Sequence, residues 1–169
     1  LTWELTHSGL WLGIIAIAEA GPGILLSPIA GAYADRYDRL QMARIVQFAI
    51  MAVTALLAFA TFAGWVDIYV LFVLAAAHGA AAGFWTPVRL AMVPNLVPKQ
   101  DLTSAIALHA TMFNLARFLF PALAAPVLAI WGAGMAFAFN AAGYLIYLVA
   151  LFFVVLVNPD ERAQRGGGM

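Results

Sequence analysis

Glu19, His78 and Arg117 stand well inside otherwise apolar stretches and can carry or exchange charge, while His109 lies nearer a cytosolic end. A charge at the middle of a membrane-crossing helix costs roughly 2.5–3.5 kcal/mol on insertion scales. Such a residue therefore needs a partner, a water-filled cavity or a task. An imidazole such as His78 can gain and lose a proton in the physiological range, either as a proton acceptor or while touching a substrate. Glu19 and Arg117 are charged inside spans, where charge is expensive and usually functional. Asn114, three residues before Arg117 on the same helical face, is placed to orient it. Each has a plainer reading. Glu19 and Arg117 would pin their helices to a neighbour, and His78 would pack neutral against a backbone carbonyl. Gln47 and Asn140 read as contacts between helices, and Gly79/Gly83 as a small-xxx-small packing face.

No other chemistry is legible. The chain has no cysteine, and no metal-ligand spacing, phosphate-cradling glycine loop or nucleophile–base pair. The expectation is a protein that is not an enzyme and takes no cofactor or metal.

The elements that must hold these residues follow from composition. Of 169 residues 65% are hydrophobic and 9% charged, with a mean hydropathy of +0.96. Soluble domains carry about 25% charged residues, so a soluble enzyme, a nucleic-acid binder and a disordered tail are excluded. The 8 basic and 8 acidic residues cancel, leaving no excess to recruit nucleic acid. Crossing a bilayer takes about 20 mostly apolar residues. Five stretches qualify: 10–33, 42–64, 67–86, 102–130 and 134–157. The fourth is long enough to begin as an interfacial turn. Two-residue alternation is absent, which excludes a β-barrel, and backbone in lipid must then satisfy itself as helix. The fold class is all-α, a polytopic transmembrane bundle of five spans over 1–157, with 158–169 a cytosolic tail or linker. No signal peptide is visible, and the start at Leu1 reads as cut from something longer.

Basic residues set the orientation. The 33–44 and 87–101 junctions and the tail hold Arg36, Arg39, Arg44, Arg89, Lys99, Arg162 and Arg165, seven of the eight. The segments expected on the opposite side hold none. The N-terminus is expected outside and the C-terminus in the cytosol of a bacterial inner membrane. The two outer junctions, Trp65-Val66 and Trp131-Gly132-Ala133, are short and carry interfacial Trp, as tight helical hairpins would.

The first cytosolic junction reads Gly31-Ala32-Tyr33-Ala34-Asp35-Arg36-Tyr37-Asp38-Arg39. It resembles the signature loop of the major facilitator superfamily between its second and third helices. Gly31 would permit close helix approach there, and Asp35 would accept bonds from helix N-termini and Arg groups. Two further runs agree: Thr86 through Pro98, and Asp101-Leu102 through Asn114-Leu115-Ala116-Arg117 to Pro121. With Glu19-Ala20 before Pro22 and Ser27-Pro28, they resemble the bacterial exporter branch of enterobactin exporters and macrolide-efflux-type proteins. The resemblance spans 1–157.

That resemblance implies helices two to six of a twelve-helix transporter, with the first helix and the C-terminal half as missing partners. It implies a gating loop of Gly31, Asp35, Arg36, Asp38 and Arg39. Coupling or substrate candidates are Glu19, His78, Asn114 and Arg117, and Pro22, Pro28 and Pro121 shape helices. Charge-then-proline order in the first and fourth stretches agrees with inverted repeats. The chain departs from the family at Leu40-Gln41, where basic residues are usual, at Phe120 before Pro121, at Ala124-Ala125, and at His78-Gly79. Membership stands, while proton antiport is left open. The implied function is part of a secondary active, ion-gradient-coupled exporter of small apolar or amphipathic compounds, siderophore or drug type, in the lipid bilayer. By itself such a piece would not transport. The competing reading is a non-transporting membrane scaffold, assembly subunit or truncated remnant. Depth along the helices, about 14 Å for Glu19 and about 20 Å for Arg117 at 1.5 Å per residue, permits a Glu19–Arg117 pair. The family layout disfavours it.

Overall fold

The computed structural model describes residues 1–34 and 37–154. Among these, no strand occurs. A short helix α1 (Thr2–Thr6) ends at His7 and leads into α2 (Gly9–Ala34), α3 (Arg39–Phe62), α4 (Ile68–Leu96) and, after a 3-10 turn at Lys99–Asp101, α5 (Leu102–Phe153). The last four are long and apolar enough to cross a membrane. Within α5, Gly132 takes φ 76° and ψ −179°, breaking it into two helical lengths, 102–131 and 133–153. Each is still long enough to span a bilayer.

The helix ends follow from local chemistry. Asp38 caps α3, its Oδ1 accepting from the Gln41 N–H at 2.7 Å, and Asp67 caps α4 by accepting from Val70 at 2.7 Å. Both satisfy donors that the first turn leaves free. Gly64, at φ 70°, closes α3. It lets its own N–H reach Thr61 O and the Trp65 N–H reach Ala60 O, a left-handed close that glycine takes without strain. The Trp65 ring then packs edge-on against Phe59 at 5.7 Å. The α3–α4 hairpin is thus written in three residues: Gly64, Trp65 and Asp67.

α4 continues ten residues beyond the apolar stretch 67–86, straight through Pro87. α2 likewise holds Pro22 and Pro28, and α5 holds Pro121 and Pro126, all inside helix. Proline removes one ladder bond, a loss that membrane helices tolerate where neighbours or hydroxyls cover the freed carbonyl.

The rods lie in the order α2, α4, α3, 133–153. α2 and α4 run parallel, Trp11 meeting Tyr69 at 6.1 Å near their starts and Glu19 meeting His78 further along. The 133–153 length runs antiparallel to α3, with Gly134 against Phe62 at one end and Leu151 near Arg44 at the other. The 102–131 length touches α4 through Arg89, whose guanidinium carbon lies 5.4 Å from the Phe113 ring centroid. Its large side chains, among them Phe118, Phe120 and Leu123, are exposed.

A buried apolar cluster lies at the end rich in arginine. Ala43, Val88, Met92 and Leu151 are buried together there, with Trp85 and Leu40 against them. Apolar burial gives little drive in lipid, so polar contacts and small residues must fix the register. The buried Gln47 donates from Nε2 to the Tyr144 carbonyl at 3.1 Å, joining α3 to 133–153. Arg39 donates from Nη1 to the Ala91 carbonyl at 3.0 Å, joining α3 to α4.

Candidate functional site

The site is built on a seam of glycines. Gly23 of α2 faces Gly79 and Gly83 of α4 with backbone against backbone. A Cβ at Gly23 would lie 2.9 Å from the Gly79 carbonyl oxygen, one at Gly79 would overlap the Glu19 carbonyl, and one at Gly83 would strike the Gly23 backbone. No side chain larger than hydrogen fits at these three positions without moving a helix.

That approach sets the chemistry. With the backbones touching, Glu19 and His78 are brought together across two parallel helices, the carboxylate Oε1 lying 3.7 Å from imidazole Nδ1. This is ion-pairing reach when the imidazole is protonated. The glutamate side chain is 58% exposed and the histidine 26%, so the pair sits at the wall of an open space rather than in a sealed core. From 133–153 the Tyr144 ring stands 6.4 Å from the imidazole. Gln47 holds the same tyrosine by its backbone, so its position is tied to α3.

A cavity of about 340 Å³ lies along this seam, lined by Glu19, Ala20, Gly23, Ile24, Ser27, Gly79, Ala82, Gly83 and Thr86. A second, of the same volume, lies at the arginine-rich end between Tyr33, Tyr37, Asp38, Gln41, Met42, Ile45, Val46 and Phe84. Size does not separate them; chemistry does. In the second cavity the Asp38 carboxylate is already committed as a helix cap, whereas the first holds a carboxylate whose described partner is the His78 imidazole.

The residues singled out from sequence are distributed unevenly. Glu19 and His78 meet. Arg117 lies exposed on 102–131, and Asn114 donates to the Ala110 carbonyl of its own helix at 2.8 Å instead of orienting Arg117. Of the loop, Asp38 is a cap and Arg39 a tie to α4. Gly31 has open space where a Cβ would stand, so the close approach expected there occurs at Gly23. Asp35 and Arg36 lie outside the described residues. Among the described residues no group of His, Asp and Glu could hold a metal ion.

Sequence reading missed Gly23 and Tyr144. Gly23 carried a signal, since it follows Glu19 by one helical turn and matches the one-turn spacing of Gly79 and Gly83. Tyr144 carried none.

The all-helical fold agrees with the comparisons. A family model described as "Transmembrane secretion effector" matches residues 1–165. The chain is 32% identical over 162 residues to the staphyloferrin A transporter of Staphylococcus aureus, covering 94% of this chain and 41% of that protein. It is 22% identical over 161 residues to macrolide efflux protein A of Streptococcus pyogenes, covering 95% and 40%. To macrolide efflux protein A of Enterococcus faecalis it is 24% identical over 153 residues, covering 90% and 46%. The chain thus spans about two fifths of the length of the curated relatives it matches. No solved structure matches significantly.

Proposed function

The chain belongs to the transmembrane secretion effector family of the major facilitator superfamily, and from that premise we propose that it forms part of a secondary active exporter. The proposed cargo is a small apolar or amphipathic compound of siderophore or drug type, moved against its gradient at the expense of an ion gradient. The observation that carries this reading is the contact of Glu19, which lines the seam cavity, with His78. A titratable pair at hydrocarbon depth is expensive to keep and serves coupling well. The relatives' names, a staphyloferrin A transporter and macrolide efflux proteins, support export. They speak against the scaffold reading.

In this reading the protein sits in a bacterial plasma membrane with its N-terminus outside and its C-terminus in the cytosol. The 31–39 loop is then a cytosolic gate, with Asp35 bonding across to neighbouring helices. Substrate would pass between this bundle and a second one that rocks against it. Arg117 and Asn114 would serve that second interface, as the exposure of their helix allows.

The test is efflux of a fluorescent amphipathic dye from cells making the protein from its complete reading frame. Gradient-dependent efflux that Glu19→Gln abolishes is expected, with Asp35→Asn impairing efflux more than membrane insertion. Equal dye retention with and without the protein would overturn the proposal.

A further inference from the structure

Among the described residues no acceptor meets Arg89. This residue stands on α4 where both lengths of α5 come near. Its guanidinium carbon lies 5.4 Å from the Phe113 ring centroid on 102–131. One turn earlier on the same face, Trp85 packs edge-on against Tyr147 of 133–153 at 5.4 Å. The Arg89 Nε is buried with no hydrogen-bond partner, and the side chain makes no ion pair among the described residues. A guanidinium brings five N–H donors and keeps its proton. The Phe113 ring attracts the charge through one face and leaves the donors along the edge unmatched. A buried polar group in that state needs a specific explanation.

A second guanidinium shares the place. Phe113 and Arg117 are one helical turn apart, so the side of 102–131 that meets Arg89 also carries Arg117, about 6 Å farther from the arginine-rich end. Arg117 is exposed and likewise makes no hydrogen bond or ion pair among the described residues. One turn before Phe113, the His109 ring stands 6.4 Å from the Phe113 ring. The described carboxylates are all placed elsewhere. Glu19 meets His78, Asp38 and Asp67 cap helices, Glu4 belongs to α1, and Asp101 to the turn before α5. The facing sides of α4 and 102–131 therefore carry positive charge alone, set among aromatic rings.

We propose that these facing sides bind an amphipathic organic anion, Arg89 and Arg117 donating to its carboxylate or phosphate and Phe113 and Trp85 packing on its apolar body. This rests on the exporter reading and deepens it by naming the substrate class. The planar guanidinium fork matches two oxygens of such a group at once. Depth selects a soluble compound over a phospholipid. Arg117 lies fifteen residues into α5, about 22 Å along the helix, whereas a lipid phosphate stays at headgroup level outside a hydrocarbon core of about 30 Å. Arg89, only seven residues from the end of α4, meets the anion first, and Arg117 holds it deeper.

The test uses the protein made from its complete reading frame, in phosphatidylcholine nanodiscs at about pH 8, where histidine is ordinarily neutral and the arginines carry the charge. The probe is fluorescent pyrenebutyrate, with pyrenebutanamide as its neutral isostere. Empty nanodiscs of the same lipid correct for partition. Specific binding of the carboxylate is expected, about tenfold or more tighter than that of the amide, as bonds between charged groups give. Arg89→Gln and Arg117→Gln should each weaken it about tenfold, and Arg89→Lys less, since ammonium keeps the charge without the fork. Equal binding of acid and amide by the unmutated protein would overturn the proposal, whatever the variants do. Unchanged affinity in both glutamine variants would do the same. Adding phosphatidylglycerol to the nanodiscs should leave the corrected affinity in place; displacement of the probe would assign the arginines to a lipid phosphate instead and end the proposal. A protein that exports a neutral or cationic dye on an ion gradient, yet binds pyrenebutyrate no better than its amide, would sink this inference and leave the exporter reading standing.

Discussion

Arg44 donates twice to a single acceptor, the Leu151 carbonyl oxygen, from Nε at 3.2 Å and from Nη2 at 3.1 Å. Leu151 lies in the last turn of α5, where carbonyls have no partner within the helix. The guanidinium carbon also stands 4.8 Å from the Phe152 ring centroid. One side chain from the first turns of α3 thereby closes the far end of another helix, satisfying a free carbonyl and opposing the negative end of its dipole.

Replacing Arg44 by Met keeps the apolar stem and removes the donors. A net loss of about 1–2 kcal/mol is expected for a charge-assisted bond of this kind. Lys should recover only part, since it lacks the planar fork. Thermal denaturation in detergent checks both, in the order wild type, Arg44→Lys, Arg44→Met.

Gly79→Ala should be far worse than Gly31→Ala. The first puts a methyl group onto the Glu19 backbone carbonyl; the second meets nothing within 4 Å. Overpacking against backbone costs about 1–3 kcal/mol or more, while alanine in an open helical position gains up to about 1 kcal/mol over glycine. Cysteines at Ala20 and Ala82, both lining the seam cavity, should cross-link in wild type and in Gly31→Ala. Equal cross-linking in Gly79→Ala would contradict the seam.

Asp38→Asn and Asp38→Ala separate a cap from a gate. Asparagine caps a helix about as well as aspartate, whereas alanine loses roughly 1 kcal/mol. If the role of Asp38 is the bond it accepts from Gln41, Asn preserves stability and efflux, and Ala lowers stability. Loss of efflux in Asp38→Asn at full stability would mean that its charge acts in the gate.

Orientation is open to labelling. Seven of the eight basic residues fall in three sequence segments, 33–44, 87–101 and the tail, and basic residues favour the cytosolic side. Cysteine at Asp67 or in the 131–134 hairpin should react with an impermeant reagent in intact cells, and cysteine at Gln164 should not. Reaction at Gln164 would invert the topology.

What could be read from the chain alone was local. Runs of about 20 apolar residues must become helix in lipid because nothing else satisfies their backbone. Asp38 and Asp67 stand where such runs begin, and Gly64 and Gly132 where they turn; each acts through bonds or dihedrals within a few residues. Gln47 was legible as a contact between helices, since a lone amide in an apolar run needs a partner. Its partner, the Tyr144 carbonyl, was not. Tertiary structure decided the pairings. Glu19 and Arg117 share a compatible depth, yet Glu19 faces His78, because three glycines bring α2 onto α4 while 102–131 lies apart. When every face of a helix is apolar, periodicity does not tell which face meets a neighbour. Close packing of small residues and the few available polar partners make that choice, and they act between segments far apart in sequence.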